Sequence, residues 1–288
     1  MTSINKAILD FGCRIAKEVE AKALLMYADA AVEFDFCDEF HPAFDIVLVA
    51  KTDQIPERFC GQCTVLTVPN VNLTRVGQVK IAVTKGIATG LFKKGDKIVC
   101  LSGIPRFGYV DSIFVIDVGR EFEILTSEHF GAITESVYPE VFGAVLNLAL
   151  ELAAQGREGR KVGTIFILGD QEKVMQLSRQ MIINPFMGYP EEERNILSPE
   201  LKETIKEFSA IDGAFIVRDD GMLITAGRHL SAALDSKDFP QGLGSRHIAA
   251  AGITSVTRAT AIVLSESSGN VSVFKDGKIF VTIEKPTD

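Results

Sequence analysis

The chain has 288 residues, is 47% hydrophobic and 24% charged, and carries a formal net charge of −8. That length accommodates about two domains of roughly 100–200 residues, each able to bury its own core. The acidic balance disfavours a nucleic-acid polymer as partner, since such binding rests on neutralised phosphates. The chain has no apolar run of about 18 residues to cross a membrane, and its N-terminus lacks the apolar core of a secretory signal, so the expected location is the cytoplasm.

Apolar residues Ile4, Ile8, Phe11, Ile15 and Val19 recur at helical spacing and predict a helix over 4–23 or beyond, with that set as its buried face. Strand patterns follow at 44–49 and 64–68, the second stopped by Pro69. A helical stretch covers 75–91, the turn Lys94-Gly95-Asp96 leads into a strand at 97–101, and another strand covers 112–118. Strands alternating with helices imply a parallel α/β sheet with right-handed crossovers. This first domain is expected over 1–126.

The second domain, over 127–288, opens with a helix carrying Val141, Val145, Leu148 and Leu152 on one face. It ends in a Gly- and charge-rich loop, Gln155 to Arg160. An apolar strand covers 162–168. Asp170 is placed to cap a helix that stops before Asn184-Pro185, and Ser198-Pro199-Glu200 reads as a helix start. Beyond Asp212 the pattern is strand-rich, with hairpin signals at Asp219-Asp220-Gly221 and Asp276-Gly277. The expected second fold is a mixed sheet flanked by helices.

Three segments carry candidate chemistry. Asp212-Gly213-Ala214 sets a carboxylate before two minimal side chains, which lets a ligand approach the backbone, although Asp-Gly is also a common turn pair. Gly242 to His247 is a Gly-flanked loop opening a small-residue helix. Its free N–H groups, the Ser245 hydroxyl and the Arg246 fork suit anionic oxygens, and His247 can bind metal or carry a proton. The bland alternative is a capped surface helix. Ser265-Glu266-Ser267-Ser268-Gly269 is a polar hairpin with a carboxylate at its tip.

In this order and setting, the stretch 140–283 resembles the diadenylate cyclase catalytic domain. That family carries Asp-Gly-Ala, then Gly-Thr-Arg-His-Arg after a Leu-Gly pair, then Ser-Glu-Glu-Thr-Gly. Here the segments read Asp212-Gly213-Ala214, Leu243-Gly244-Ser245-Arg246-His247-Ile248 and Ser265 to Gly269. Ala226 to Leu230 resembles the segment before the family's variable loop. Ser245 keeps the hydroxyl of the usual Thr. Ile248 stands where a second Arg is usual and removes a charge from the phosphate site, with Arg228 or Arg258 as candidate replacements. Residues 79–105 resemble the C-terminal α/β domain of pyruvate kinase, which carries over only a regulatory or oligomerising role for residues 1–126.

The resemblance implies that two ATP molecules condense into cyclic di-AMP across a face-to-face dimer within a homo-oligomer. Asp212, Arg246 and His247 would be catalytic. Gly213, Ala214, Leu230, Leu243, Gly244, Ser245, Ser265 and Glu266 would bind ATP, with the two leucines against adenine. Asp212 and His247 would hold a divalent metal, Mn or Mg. The alternative is a non-catalytic sensor of ATP or cyclic di-AMP. A redox or zinc reading of Cys60-Gly61-Gln62-Cys63 is weaker, since no second ligand pair lies nearby and an odd total of five cysteines argues against a disulfide framework. Gly86 to Gly90 matches neither dinucleotide nor P-loop fingerprints.

Overall fold

Ala23 to Tyr27 is a short run of buried apolar residues that becomes the central strand of the first sheet. A computed structural model of the chain describes residues 3–28, 44–51, 63–103, 109–120, 133–232 and 244–285. The chain divides into two compact units, one within Met1–Glu128 and the other spanning His129–Lys285.

In the first unit α1 (Ser3–Glu18) precedes β1 (Ala23–Tyr27), β2 (Asp45–Lys51), β3 (Thr64–Val68), α2 (Arg75–Ala88), β4 (Lys97–Ser102) and β5 (Ser112–Asp117). The sheet order is β3-β2-β1-β4-β5. β1 pairs in parallel with β2 and β4, and β2 with β3, while β5 joins as an antiparallel edge strand. The expected first helix is thus too long: it ends at Glu18, and Glu20 takes a left-handed φ of 54°. Its phase also differs in part. Leu9, Cys13 and Ala16 pack with Leu24, Met26 and Leu101; of the expected face, Ile8, Ile15 and Val19 pack against this cluster, whereas Ile4 and Phe11 are exposed. Periodicity locates an apolar arc, but the side that turns inward is the one that lets α1 lie close to the sheet: a Cβ on Gly12 would come within 2.8 Å of Leu101.

α2 is capped by Thr74, whose hydroxyl accepts from the N–H of Gly77 at 2.9 Å. It is buried almost all round, which brings two lysines inside. Lys85 donates to the carbonyl of Thr67, and burial lowers its pKa to about 8. Arg75 pairs with Asp111, Nε to Oδ1 at 2.6 Å, and the Arg75 guanidinium holds that carboxyl below the usual carboxylate range.

In the second unit the order is α3 (Pro139–Gln155), β6 (Thr164–Leu168), α4 (Gln171–Gln176), β7 (Ser178–Gln180), α5 (Leu201–Phe208), β8 (Ala214–Val217), β9 (Leu223–Leu230), α6 (Ser245–Val256), β10 (Thr260–Leu264), β11 (Val271–Lys275) and β12 (Lys278–Ile283). The sheet order is β12-β11-β10-β6-β8-β9-β7, and only β6 and β8 are parallel. α3 buries Val141, Val145, Leu148 and Leu152, as its periodicity predicts, and packs on β10 and β11. α6 packs Ala250, Ala251 and Ile253 against Ile167, Ile216, Val263 and Phe274.

Two local expectations here need correction. Asp170 does not cap α4. It has a left-handed φ of 47°, and its carboxylate accepts from the N–H of Arg258 at 2.8 Å, a partner 88 residues away. The helix after it is only Gln171–Gln176 and gives way to β7, because Ser178 to Gln180 pair with the end of β9. α5 starts at Leu201 with no side-chain cap, slightly later than the Ser-Pro-Glu signal implies. Both hairpins form at the expected turns, joining β8 to β9 and β11 to β12.

Candidate active site

Three strand ends meet at one edge of the second sheet. β6 and β8 are parallel with Ile165 opposite Ala214, and β10 is antiparallel with Leu264 opposite Thr164. Gly163 just before β6, Asp212 shortly before β8, and Ser265-Glu266 just after β10 therefore emerge side by side. The second residue of α6 is Arg246. Its Nη2 donates to Asp212 Oδ1 at 3.2 Å and its Nη1 to Glu266 Oε2 at 3.1 Å.

Gly163 makes that bridge possible. A Cβ there would lie 2.6 Å from Arg246 Nη1 and 2.8 Å from Glu266 Cβ. The guanidinium thus sits in the space a side chain would fill, across the middle strand. The Asp212 side chain is 90% exposed and that of Glu266 57%, so both carboxylates remain open to solvent and to ligand.

α6 begins at a Gly244 N-cap with no side-chain cap. Helix N-termini with open N–H groups favour anionic oxygens. His247 is buried against Phe274, edge to face with ring centres 5.9 Å apart, and burial lowers its pKa below the usual histidine value. Burial thus favours the uncharged imidazole, the form that binds metal. Ser265 holds the hairpin beside it: its N–H donates to Asn270 O at 2.9 Å, and its carbonyl accepts from Gly269 N at 2.8 Å.

Gly244, Ser245, Arg246, His247, Ser265 and Glu266 line one cleft of about 1010 Å³. That is the upper end of the roughly 300–1,000 Å³ usual for small-molecule sites. Other expected residues fall elsewhere. Gly213 has φ 107°, and a Cβ on it would meet Arg228 N at 2.7 Å, so its missing side chain serves the close approach of β9 rather than leaving room for a ligand. Ala214 has no exposed surface, and Leu230 is 7% exposed, packed with the α6 cluster. Leu243 and Cys60 lie outside the described residues; Cys63 is half-buried.

The two arginines considered as replacements for a cation at Ile248 do not serve. Arg228 is buried and donates to Ser178 Oγ and to the carbonyls of Met175 and Ser178, fixing α4 and β7. Arg258 precedes β10, at the end of that strand opposite Ser265. The cleft instead gains Arg160 and Lys161 from the loop before β6. Sequence reasoning registered that loop only as charge-rich and passed over Gly163; a glycine between a basic loop and an apolar strand was the available signal.

Among the described residues, no group of three or more His, Cys, Asp or Glu could enclose a metal ion. Asp212 offers an exposed carboxylate oxygen and His247 a buried imidazole, donor types that suit a divalent metal. No helix among the described residues is long and apolar enough to cross a membrane.

Comparison with known proteins adds to this geometry. A family profile described as "DisA bacterial checkpoint controller nucleotide-binding" matches residues 151–279, and one described as "Probable sensor domain DacZ_P" matches residues 5–126. A diadenylate cyclase of Methanocaldococcus jannaschii is 31% identical over 298 residues, covering 96% of this chain and 95% of that one. A diadenylate cyclase of Haloferax volcanii is 36% identical over 209 residues, covering 72% of this chain and 75% of its own. Among solved structures, DacA from Staphylococcus aureus is 22% identical with a TM-score of 0.34, covering 49% of this chain and 85% of that one. With similarity running through both units and nearly end to end in the first of these relatives, the chain belongs to the diadenylate cyclase family, nucleotidyltransferases that make cyclic di-AMP.

Proposed function

We propose that the chain condenses two ATP molecules into cyclic di-AMP and two pyrophosphates, with one ATP held in each of two clefts facing each other across a two-fold axis. The observation that carries this reading is the Arg246 bridge to Asp212 and Glu266 at the cleft. In each half-reaction the 3′-oxygen of one ATP bonds to the α-phosphorus of the other. The α–β phosphoanhydride bond breaks, pyrophosphate leaves, and the hydroxyl proton passes to solvent water. Two equivalent bonds must form, so an isologous dimer within a homo-oligomer supplies the matching geometry.

Asp212 orients the 3′-hydroxyl and contributes to a divalent metal site with His247. Mg²⁺ or Mn²⁺ there would supply Lewis-acid charge stabilisation. Arg246, Ser245 and the Gly244 backbone hold phosphate oxygens as charge develops. Ser265 and Glu266 border the phosphate tail. Gly213 and Ala214 shape the strand that presents Asp212. The first unit serves regulation or assembly; removing residues 1–126 should change activity or oligomeric state, and no change in either would remove that role.

The test is incubation of the full chain with ATP and Mg²⁺ or Mn²⁺, resolving nucleotides by chromatography and mass. Asp212→Asn should lower cyclic di-AMP formation by roughly 100-fold or more while its thermal midpoint stays put, because the side chain is 90% exposed. Undiminished turnover in that variant rules out the role of Asp212. ATP binding without product from the unaltered chain would favour a nucleotide sensor.

A further inference from the structure

The charge balance at the bridge leaves a problem for any triphosphate. Arg246 is one cation set against two carboxylates, Asp212 and Glu266. His247 is buried against the Phe274 ring, and the next residue of α6 is the apolar, half-buried Ile248. Before any metal binds, the Arg246, Asp212 and Glu266 charges thus leave the α6 side of the cleft net negative where a polyanion would sit.

The opposite sign comes from the loop before β6. Arg160 and Lys161 both line the same cleft. Arg160 is exposed and its side chain has no partner among the described residues. Lys161 donates only to a neutral carbonyl, that of Ser267, at 3.3 Å. These two charges reverse the local balance, and Lys285, bordering an adjoining recess with them, adds the same sign. Lys161 precedes Gly163 by two residues, at most about 7 Å along an extended chain. Since Arg246 rests on Gly163, the new cations lie within reach of a triphosphate whose α-phosphate is at Arg246.

We infer that Arg160 and Lys161 bind the β- and γ-phosphates of ATP and then the leaving pyrophosphate, and so distinguish substrate from product. The inference rests on the ATP reading above. Cyclic di-AMP has no such phosphates, so the two cations should contribute to affinity for ATP and little to affinity for product.

The experiment uses full-length protein and calorimetric titration with an unreactive ATP analogue carrying a methylene between its α- and β-phosphates, and separately with cyclic di-AMP. In Arg160→Ala/Lys161→Ala the analogue should bind about tenfold or more weakly, as expected for lost charge-assisted phosphate contacts. Cyclic di-AMP affinity should stay within about twofold on the same basis, and Arg160→Lys/Lys161→Arg should restore analogue binding. Equal loss for both ligands, or no loss for the analogue while Arg246→Ala weakens it, overturns the inference alone. If Arg246→Ala also leaves analogue affinity unchanged, the cleft is not the ATP site and the functional reading falls with the inference.

Discussion

Lys85 in the first unit is 7% exposed and donates to the carbonyl of Thr67; the Arg246 side chain in the second is 29% exposed and divides its guanidinium between Asp212 and Glu266. Both cations sit near the edge of an α/β sheet, yet they do different work. A cation sealed against one carbonyl belongs to the packing, and the low dielectric around it favours its neutral form. A half-exposed cation between two open carboxylates can trade one partner for a phosphate without leaving a charge stranded in a dry site. Exposure under restraint separates the polar groups of the cleft from those of the first sheet.

The largest expected effect on this contrast comes from Gly163→Ala. The added methyl would meet Arg246 and Glu266 at under 3 Å, and the flexible side chains would move. Cyclic di-AMP formation, followed as kcat/KM, should fall about 10- to 100-fold from misplacement alone. The melting temperature should shift by about 3 °C or less, because the atoms that give way lie at the cleft. Full activity would mean that the position of Arg246 does not matter, and the contrast would collapse.

A smaller effect sharpens the other side. The unfolded chain keeps the Lys85 proton up to its ordinary value of 10.5, whereas the folded chain releases it near 8. Between those values the unfolded state binds more protons, so stability should rise with pH, by about 3 kcal/mol across the window. Denaturant unfolding followed by circular dichroism from pH 7.5 to 10.5 should show the stability of the unaltered chain gaining on that of Lys85→Met by this amount as pH rises. Parallel curves for the two proteins would remove Lys85 from the account.

Local chemistry made much of the fold legible. Asp219-Asp220-Gly221 and Asp276-Gly277 mark hairpins because their turns are decided within a few residues, and the α3 face follows from periodicity. β1 was not legible, since four successive apolar residues, Ala23 to Met26, buried on both faces carry no period of their own. Asp170 misled because its carboxylate found Arg258 N in preference to the helix beside it. In the site, Asp212, Arg246 and Glu266 stood out as residue types in an ordered set of motifs. Gly213 stood out too, but its missing side chain turns out to serve the backbone of β9.

The sequence by itself determined the α/β class, the two-part organisation it implies, and the chemical types that could meet a nucleotide, because composition, period and motif are properties of short segments. Only the tertiary structure decided that Gly163 is the seat of Arg246, that Arg228 is committed to β7, and that Arg160 and Lys161 face the same cleft as α6. Each of these depends on which strand ends come together, and that is fixed by parallel and antiparallel register between segments 50 to 100 residues apart.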